Sequence, residues 1–159
     1  MVTTPSMVDF LNERGFTKLA PWARGVDMEI FNPGRRFSPD DVYKKLERPI
    51  WVNVGRIAVE KNIESFLDLD LQLAQLKKKY PEVTFPGPKF GEDLARYFAD
   101  ADVFVFPSKT DTFGLVIIEA MATGTPVAGY PVSGPIDIIP GSRAGAINED
   151  LKTACLEAL

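Results

Sequence analysis

The run Val103-Phe104-Val105-Phe106 has no polar side chain at any position. Successive residues of a strand point to opposite faces, so an unbroken apolar run asks to be buried on both sides. A strand covered on both faces belongs in a parallel sheet with helices packed above and below it. The flanking sequence agrees. A helical pattern runs from about Glu92 to Ala99, a second from about Phe113 to Ala122, and the next strand formers are PVAGY, from Pro126 to Tyr130. Short apolar strands alternating with helices predict an α/β fold built on a parallel sheet.

The rest of the chain is compatible with that plan. Ser6 is a candidate N-cap of a first helix, with Asp9 in its opening turn and Gly15 as its stop. PWARGVDMEIFNPG is a loop punctuated by Pro21, Gly25, Pro33 and Gly34. Ser38-Pro39-Asp40-Asp41 reads as a helix start, and Ile50 to Val54 as a strand ending at Gly55. A helix is expected from about Asn62, but its apolar stripe slips. Ile63, Phe66, Leu67 and Leu71 lie on one face, whereas Leu69, Leu73, Leu76 and Tyr80 are offset by roughly 120° at about 100° per residue. Two helices meeting near Asp68 to Gln72 explain the slip, with too few residues between them for a strand. A short strand near Val83 to Phe85 and a last helix near Glu149 to Leu159 complete the expectation.

Composition narrows the function. At 159 residues the chain suffices for one domain with a real core. A net charge of −4 disfavours nucleic acid as a partner. Cys155 is the single cysteine and there is no histidine, so thiol–histidine and serine–histidine nucleophile pairs and cysteine-based zinc sites are excluded. Chemistry here falls to carboxylates, Lys, Arg, hydroxyls and backbone dipoles. No apolar run reaches the roughly 18 residues of a membrane span, and MVTTPSMVDF has no secretory pattern. A cytoplasmic location is expected, with peripheral attachment to a membrane left open.

Parallel sheets bind ligands beyond the carboxyl ends of their strands, and two such ends stand out. In VNVGRIAVEKN, Gly55-Arg56 leaves a strand and Lys61 opens a helix, so both cations can converge on one anion; the alternative is that they are solvated surface charges. In DVFVFPSKTDTFGLVIIEAMA, the chain passes Asp111 and Thr112 and enters a helix at Phe113-Gly114-Leu115. The first N–H groups of that helix suit a phosphate, and Gly114 permits close approach to the backbone. Glu119 follows within an apolar stretch, where an ionised carboxylate costs several kcal/mol unless well hydrogen-bonded. Ribose hydroxyls or a buried cation would both serve. Asp111 can equally be an N-cap. Asp68-Leu69-Asp70 and Asp100-Ala101-Asp102 match an acid-x-acid metal pattern, but one lies on the helix junction and the other abuts a buried strand, so no metal site is assigned. Neither a G-x-x-x-x-G-K-[ST] loop nor a G-x-G-x-x-G fingerprint after a strand is present.

Four segments together resemble the C-terminal, donor-binding half of retaining GT-B glycosyltransferases of family 4, the group 1 glycosyl transferases. RGVDMEIFNP (Arg24 to Pro33) is similar to the family's interdomain N-G-V-D-x-x-x-F-x-P segment, and VGRIAVEKN (Val54 to Asn62) to its G-R-x-x-x-x-K diphosphate motif. FADADVFVFPS (Phe98 to Ser108) resembles the strand before the active site. DTFGLVIIEAMATGTPV (Asp111 to Val127) resembles the acid-x7-acid signature and the turn that follows it. The resemblance covers most of residues 20–140.

The resemblance implies a Rossmann-like domain over residues 21–159, with residues 1–20 as a remnant of the preceding domain's tail. The slipped stripe falls where the family has a strand, so one strand is expected to be missing. No cofactor is implied; the donor, a UDP- or GDP-linked sugar, is a substrate. Arg56 and Lys61 match the residues on its diphosphate, Asp111 matches the acid near the sugar, and these carry the catalytic assignment. Glu119 matches the acid that grips the ribose. Gly55, Thr112, Phe113, Gly114 and Leu115 match positions that hold phosphate and sugar, and Lys89, in PGPKF, matches the loop flanking the base. The family's first acid is usually Glu, and Asp111 is one methylene shorter. The implied activity is metal-independent, retaining hexosyl transfer to a glycan, lipid or small-molecule acceptor, with an acceptor domain supplied from outside this sequence. The alternative is a nucleotide-sugar-binding module without turnover of its own.

Overall fold

A computed structural model describes residues 1–36, 41–55, 78, 81–110, 113–140 and 143–159. Among these, four strands form one sheet: β1 (Trp51–Val52), β2 (Val103–Phe106), β3 (Val127–Gly129) and β4 (Gly145–Ile147). Their order in space is the order in sequence, and every pairing is parallel. The helices are α1 (Pro5–Asn12), α2 (Gly91–Ala99), α3 (Leu115–Ala122), α4 (Pro135–Ile138) and α5 (Leu151–Ala158).

Strand β2 organises the core as its sequence requires. Phe104 and Phe106 pack with Phe98 of α2 and with Ile117 and Ala120 of α3. Val103 and Val105 face the other way and pack with Leu151, Ala154 and Cys155 of α5. Helix α2 buries Ala95, Phe98 and Ala99, and its Glu92 and Asp93 lie in the first turn, where negative charge favours the helix dipole. The rings of Phe98 and Phe104 meet edge to face, 5.2 Å apart, a favoured aromatic geometry. Burial among these apolar neighbours and the nearby Asp150 push the Cys155 thiol up to about 11, so it behaves as a core residue.

The amino-terminal edge of the sheet is closed by the segment 41–50. The Val42 N–H donates to Asp100 Oδ2 at 3.0 Å and the Ile50 N–H to Asp102 Oδ2 at 2.7 Å. Arg48 bonds both Asp102 oxygens at 2.9 Å, and the Tyr43 hydroxyl donates to the Tyr97 carbonyl at 3.1 Å. Two acids that match a metal pattern in sequence therefore hold a backbone segment in the fold. Burial raises the pKa of Asp100, while the Val42 hydrogen bond works against that rise.

Several expectations are corrected. Thr4, not Ser6, is the N-cap of α1, and its side chain makes no cap bond. The Ser6 N–H instead donates to Asp137 Oδ1 at 3.1 Å, so a carboxylate from α4 satisfies the start of α1. Residues 83–85 are not a strand. Pro81, Pro86 and Pro88 crowd that stretch with residues that donate nothing to a ladder. Strand β4 and helix α4 were not expected at all. The last helix begins at Leu151, behind an Asp150 cap that accepts the Thr153 N–H at 3.1 Å. Ser38, Pro39 and Asp40 lie outside the described residues, but residues 42–45, into which a helix starting there would run, form turns rather than a helix. The paired helices near Asp68 to Gln72 and the missing strand there lie outside the described residues. Among the described residues, no helix is long and apolar enough to cross a membrane.

Gly145 is what lets β4 join. A Cβ at that position would sit 2.0 Å from the Val127 carbonyl oxygen and 2.7 Å from its nitrogen. Gly145→Ala is expected to destabilise the protein by about 2 kcal/mol or more, because backbone rather than a flexible side chain must move. Urea unfolding of the purified variant measures this; an unchanged midpoint would show that β4 pairs differently.

Candidate functional site

The parallel connections gather four loops at the carboxyl edge of the sheet. Beyond β1, the Asn53 side-chain amide donates to the Val105 carbonyl at 2.9 Å, holding the strand's exit against β2. Gly55 follows, exposed, and is the last described residue of that exit. Beyond β2, Ser108 is buried whereas Lys109 and Thr110 are exposed. Lys109 Nζ stands 4.5 Å from the ring of Tyr130, which lies just beyond β3. This cation–π contact ties the loop leaving β2 to the loop leaving β3.

Helix α3 begins between these loops. Gly114 is its N-cap, in the left-handed region with φ 73°. An added Cβ would also meet Ile117 Cδ1 at 2.6 Å, so both conformation and space call for glycine. A glycine cap has no side-chain oxygen to offer the first N–H groups, and the Ile117 N–H donates to the Gly114 carbonyl at 2.8 Å. Gly134, at φ 91°, lies against the other side of this turn: a Cβ there would come within 3.4 Å of the Phe113 carbonyl. The turn at Phe113 and Gly114 is thus braced from the loop beyond β3.

Glu119 sits one helical turn past Leu115, half-buried. Burial alone raises its pKa, and no cation or hydrogen-bond donor reaches its carboxylate among the described residues. Of the two alternatives left by the sequence, a buried cation is therefore not found among those residues. A ligand hydroxyl pair would supply what the carboxylate lacks.

Phe113, Gly114, Leu115 and Glu119 are brought together on one helix start, with Gly55 at a neighbouring strand exit. Lys89 is placed differently. Its ammonium stands 5.3 Å over the Tyr97 ring, and Tyr97 packs with Tyr43, Ile50 and Ala101, the last two being residues that enter strands rather than leave them. Arg56, Lys61, Asp111 and Thr112 lie outside the described residues. Asn53, Lys109, Tyr130 and Gly134 were not read as part of a site. Only Gly134-Pro135 carried a signal, as a turn dipeptide.

Comparison with known proteins gives a consistent picture. The family described as glycosyl transferases group 1 matches residues 67–159. A GDP-mannose-dependent alpha-mannosyltransferase of Mycobacterium tuberculosis (strain CDC 1551 / Oshkosh) is 31% identical, over 92% of this chain and 43% of its own length. The sulfoquinovosyl transferase SQD2 of Arabidopsis thaliana is 35% identical, over 80% of this chain and 29% of its own. In structure, sucrose-phosphate synthase from Thermosynechococcus elongatus superposes with TM-score 0.71 and 28% identity, covering 99% of this chain and 47% of that one. Anabaena HepE, solved with UDP and glucose, has the same fold at TM-score 0.71 and 18% identity, over 99% and 52% of the two chains. This chain spans less than half the length of the curated relatives just given.

The Glu119 environment has a pH signature. Its folded pKa lies above the ordinary 4.5, so the native state holds the proton more tightly than the unfolded chain. That contribution is complete below the ordinary value and is lost as pH rises through the raised one. Glu119→Gln removes the ionisation but keeps the shape. Thermal melts across pH should show the variant gaining on the wild type from about the unfolded pKa upward, then levelling. A constant difference at all pH values would show that the carboxylate is compensated.

Proposed function

The chain belongs to the glycosyl transferases group 1 family, and on that premise we propose that it is the donor half of a glycosyltransferase, holding a nucleotide-diphosphate sugar at the carboxyl edge of its sheet. The observation that carries this reading is Glu119: a desolvated carboxylate with no cation on it among the described residues, one turn inside the helix that starts behind Gly114. Glu119 accepts the two ribose hydroxyls. Phe113, Gly114 and Leu115, assigned by motif, help hold phosphate and sugar. Arg56 and Lys61, assigned by motif, supply the opposing positive charge, and Asp111 and Thr112 stand nearest the sugar. Gly55 keeps the β1 exit free of a side chain; Lys89, over the Tyr97 ring beside residues that enter the strands, takes no part in this reading.

The reaction breaks the bond between the sugar's anomeric carbon and the diphosphate. Negative charge grows on the departing phosphate while the sugar becomes oxocarbenium-like. The two cations assigned by motif and the helix dipole stabilise that charge without a metal ion. Transfer of a hexosyl group with retention to a glycan, lipid or small-molecule acceptor completes the proposal. The base is uracil or guanine: one similar protein is named for GDP-mannose, and one neighbour was solved with UDP. A second reading is a nucleotide-sugar-binding module without turnover.

Calorimetry with UDP, GDP and ADP, without added magnesium, tests the site. One nucleotide should bind with millimolar to micromolar affinity. Arg56→Ala and Glu119→Ala should each weaken it by about tenfold or more, the scale of one lost charge-assisted contact. Binding that needs magnesium and survives both substitutions would place the nucleotide elsewhere and end this reading. Hydrolysis or transfer from the matching nucleotide-sugar then separates enzyme from module.

A further inference from the structure

A second cleft lies at the opposite, amino-terminal edge of the sheet, between the turn 41–46 and the Tyr97 side of α2. Its volume is about 340 Å³, within the range of small-ligand sites. The hydrogen-bonding character of its walls is one-sided. Lys44, Lys45, Thr84 and Tyr97 line it and offer two ammonium groups and two hydroxyls. None of these side-chain groups is hydrogen-bonded or ion-paired to another described residue. The one acid in the lining, Asp41, is already engaged: Oδ1 accepts the Tyr43 N–H at 2.7 Å and Oδ2 accepts Arg48 at 2.9 Å. Lys89 adds a third cation at the rim, over the Tyr97 ring. The exposed lining is nonetheless mostly apolar, with these donors as its polar minority.

Val42 and Leu46 line the cleft and are 36% and 46% exposed. Tyr43 closes the floor, its hydroxyl turned away to the Tyr97 carbonyl. A ligand suited to this lining has a compact anionic group for the lysines and hydroxyls and an apolar body for Val42 and Leu46.

We propose that this cleft is a second binding site, for a phosphate ester with an apolar body, separate from the nucleotide-sugar mouth. It rests on no residue that the donor reading uses. The chemistry is shared by a lipid headgroup and by a soluble alkyl or aryl phosphate. In both, phosphate oxygens accept from Lys44, Lys45, Tyr97 and Thr84 while the hydrocarbon covers the exposed aliphatic side chains.

The test uses the full chain with octyl phosphate below its micelle concentration, inorganic phosphate, and vesicles of phosphatidylcholine with or without phosphatidic acid. Octyl phosphate should bind at least about tenfold more tightly than inorganic phosphate, a modest return for a partly buried alkyl chain. The double variant Lys44→Ala/Lys45→Ala should weaken octyl phosphate about tenfold while leaving the nucleotide titration unchanged. Leu46→Ser should erase the advantage of octyl phosphate over inorganic phosphate. Capture on phosphatidic acid vesicles, lost in the double variant, identifies a lipid source; tight octyl phosphate binding without vesicle capture identifies a soluble one. Equal affinity for the two phosphates, or a double variant that binds octyl phosphate like the wild type, overturns the proposal. Loss of nucleotide binding alone, with octyl phosphate retained, would count against the donor site and not against this one.

Discussion

Burial of β2 on both faces sets the geometry that everything else uses. Phe104 and Phe106 need a layer of helix on one side, and Val103 and Val105 need another on the other. Only crossover connections can deliver helices to both faces of a sheet, and crossovers keep the strands parallel. Parallel strands put all their exits along one edge. The helix start at Gly114, the Gly55 exit and the Tyr130 loop are neighbours for that reason, although long stretches of sequence separate them. Replacing either valine or either phenylalanine by a polar residue would therefore disturb the site indirectly, through the layer it anchors.

What the sequence reveals depends on how local its cause is. Strand β2 and helix α2 follow from their own side chains, and both were legible to within a residue. Helix α3 was legible too, but its start shifted by two residues because Gly114 adopts a left-handed cap. Strand β4 was not legible: Gly145, Ala146 and Ile147 have weak strand preference, and they pair because Gly145 fits against the Val127 backbone. The start of α1 misled for a related reason. Ser6 looks like a cap, yet its N–H is answered by Asp137, 131 residues away, which no local pattern can report. Glu119 stood out for the opposite reason, because a carboxylate inside FGLVIIEAMA conflicts with its own neighbours.

The two edges of the sheet treat their acids in contrasting ways. At the amino-terminal edge, Asp102 is shared between the Ile50 N–H and Arg48, and Asp41 between the Tyr43 N–H and Arg48. These groups are consumed by structure. They fix segment 41–50 across the entry to β1 and β2, at the surface, where each ion pair adds little on its own but the backbone bonds add register. At the carboxyl edge the described cation Lys109 rests on an aromatic ring rather than on a carboxylate, and Glu119 rests on nothing charged among the described residues.

That contrast bears on why Glu119 is there. A fold selected for stability alone would gain from an apolar or amide side chain at this position, since desolvating a carboxylate without a partner is unfavourable. The cost is bearable because Glu119 is only half-buried, and water reaches the part that a ligand would later cover. On the proposed reading, binding would exchange that water for two ribose hydroxyls, and the carboxylate would then discriminate between ligands that have paired hydroxyls and those that lack them. An uncompensated charge of this kind has its greatest effect when a ligand arrives, and its least when the site is filled by solvent. The glycine cap of α3 has a steric reason of its own: at φ 73°, with Ile117 Cδ1 2.6 Å from where a Cβ would stand, both backbone and space call for glycine.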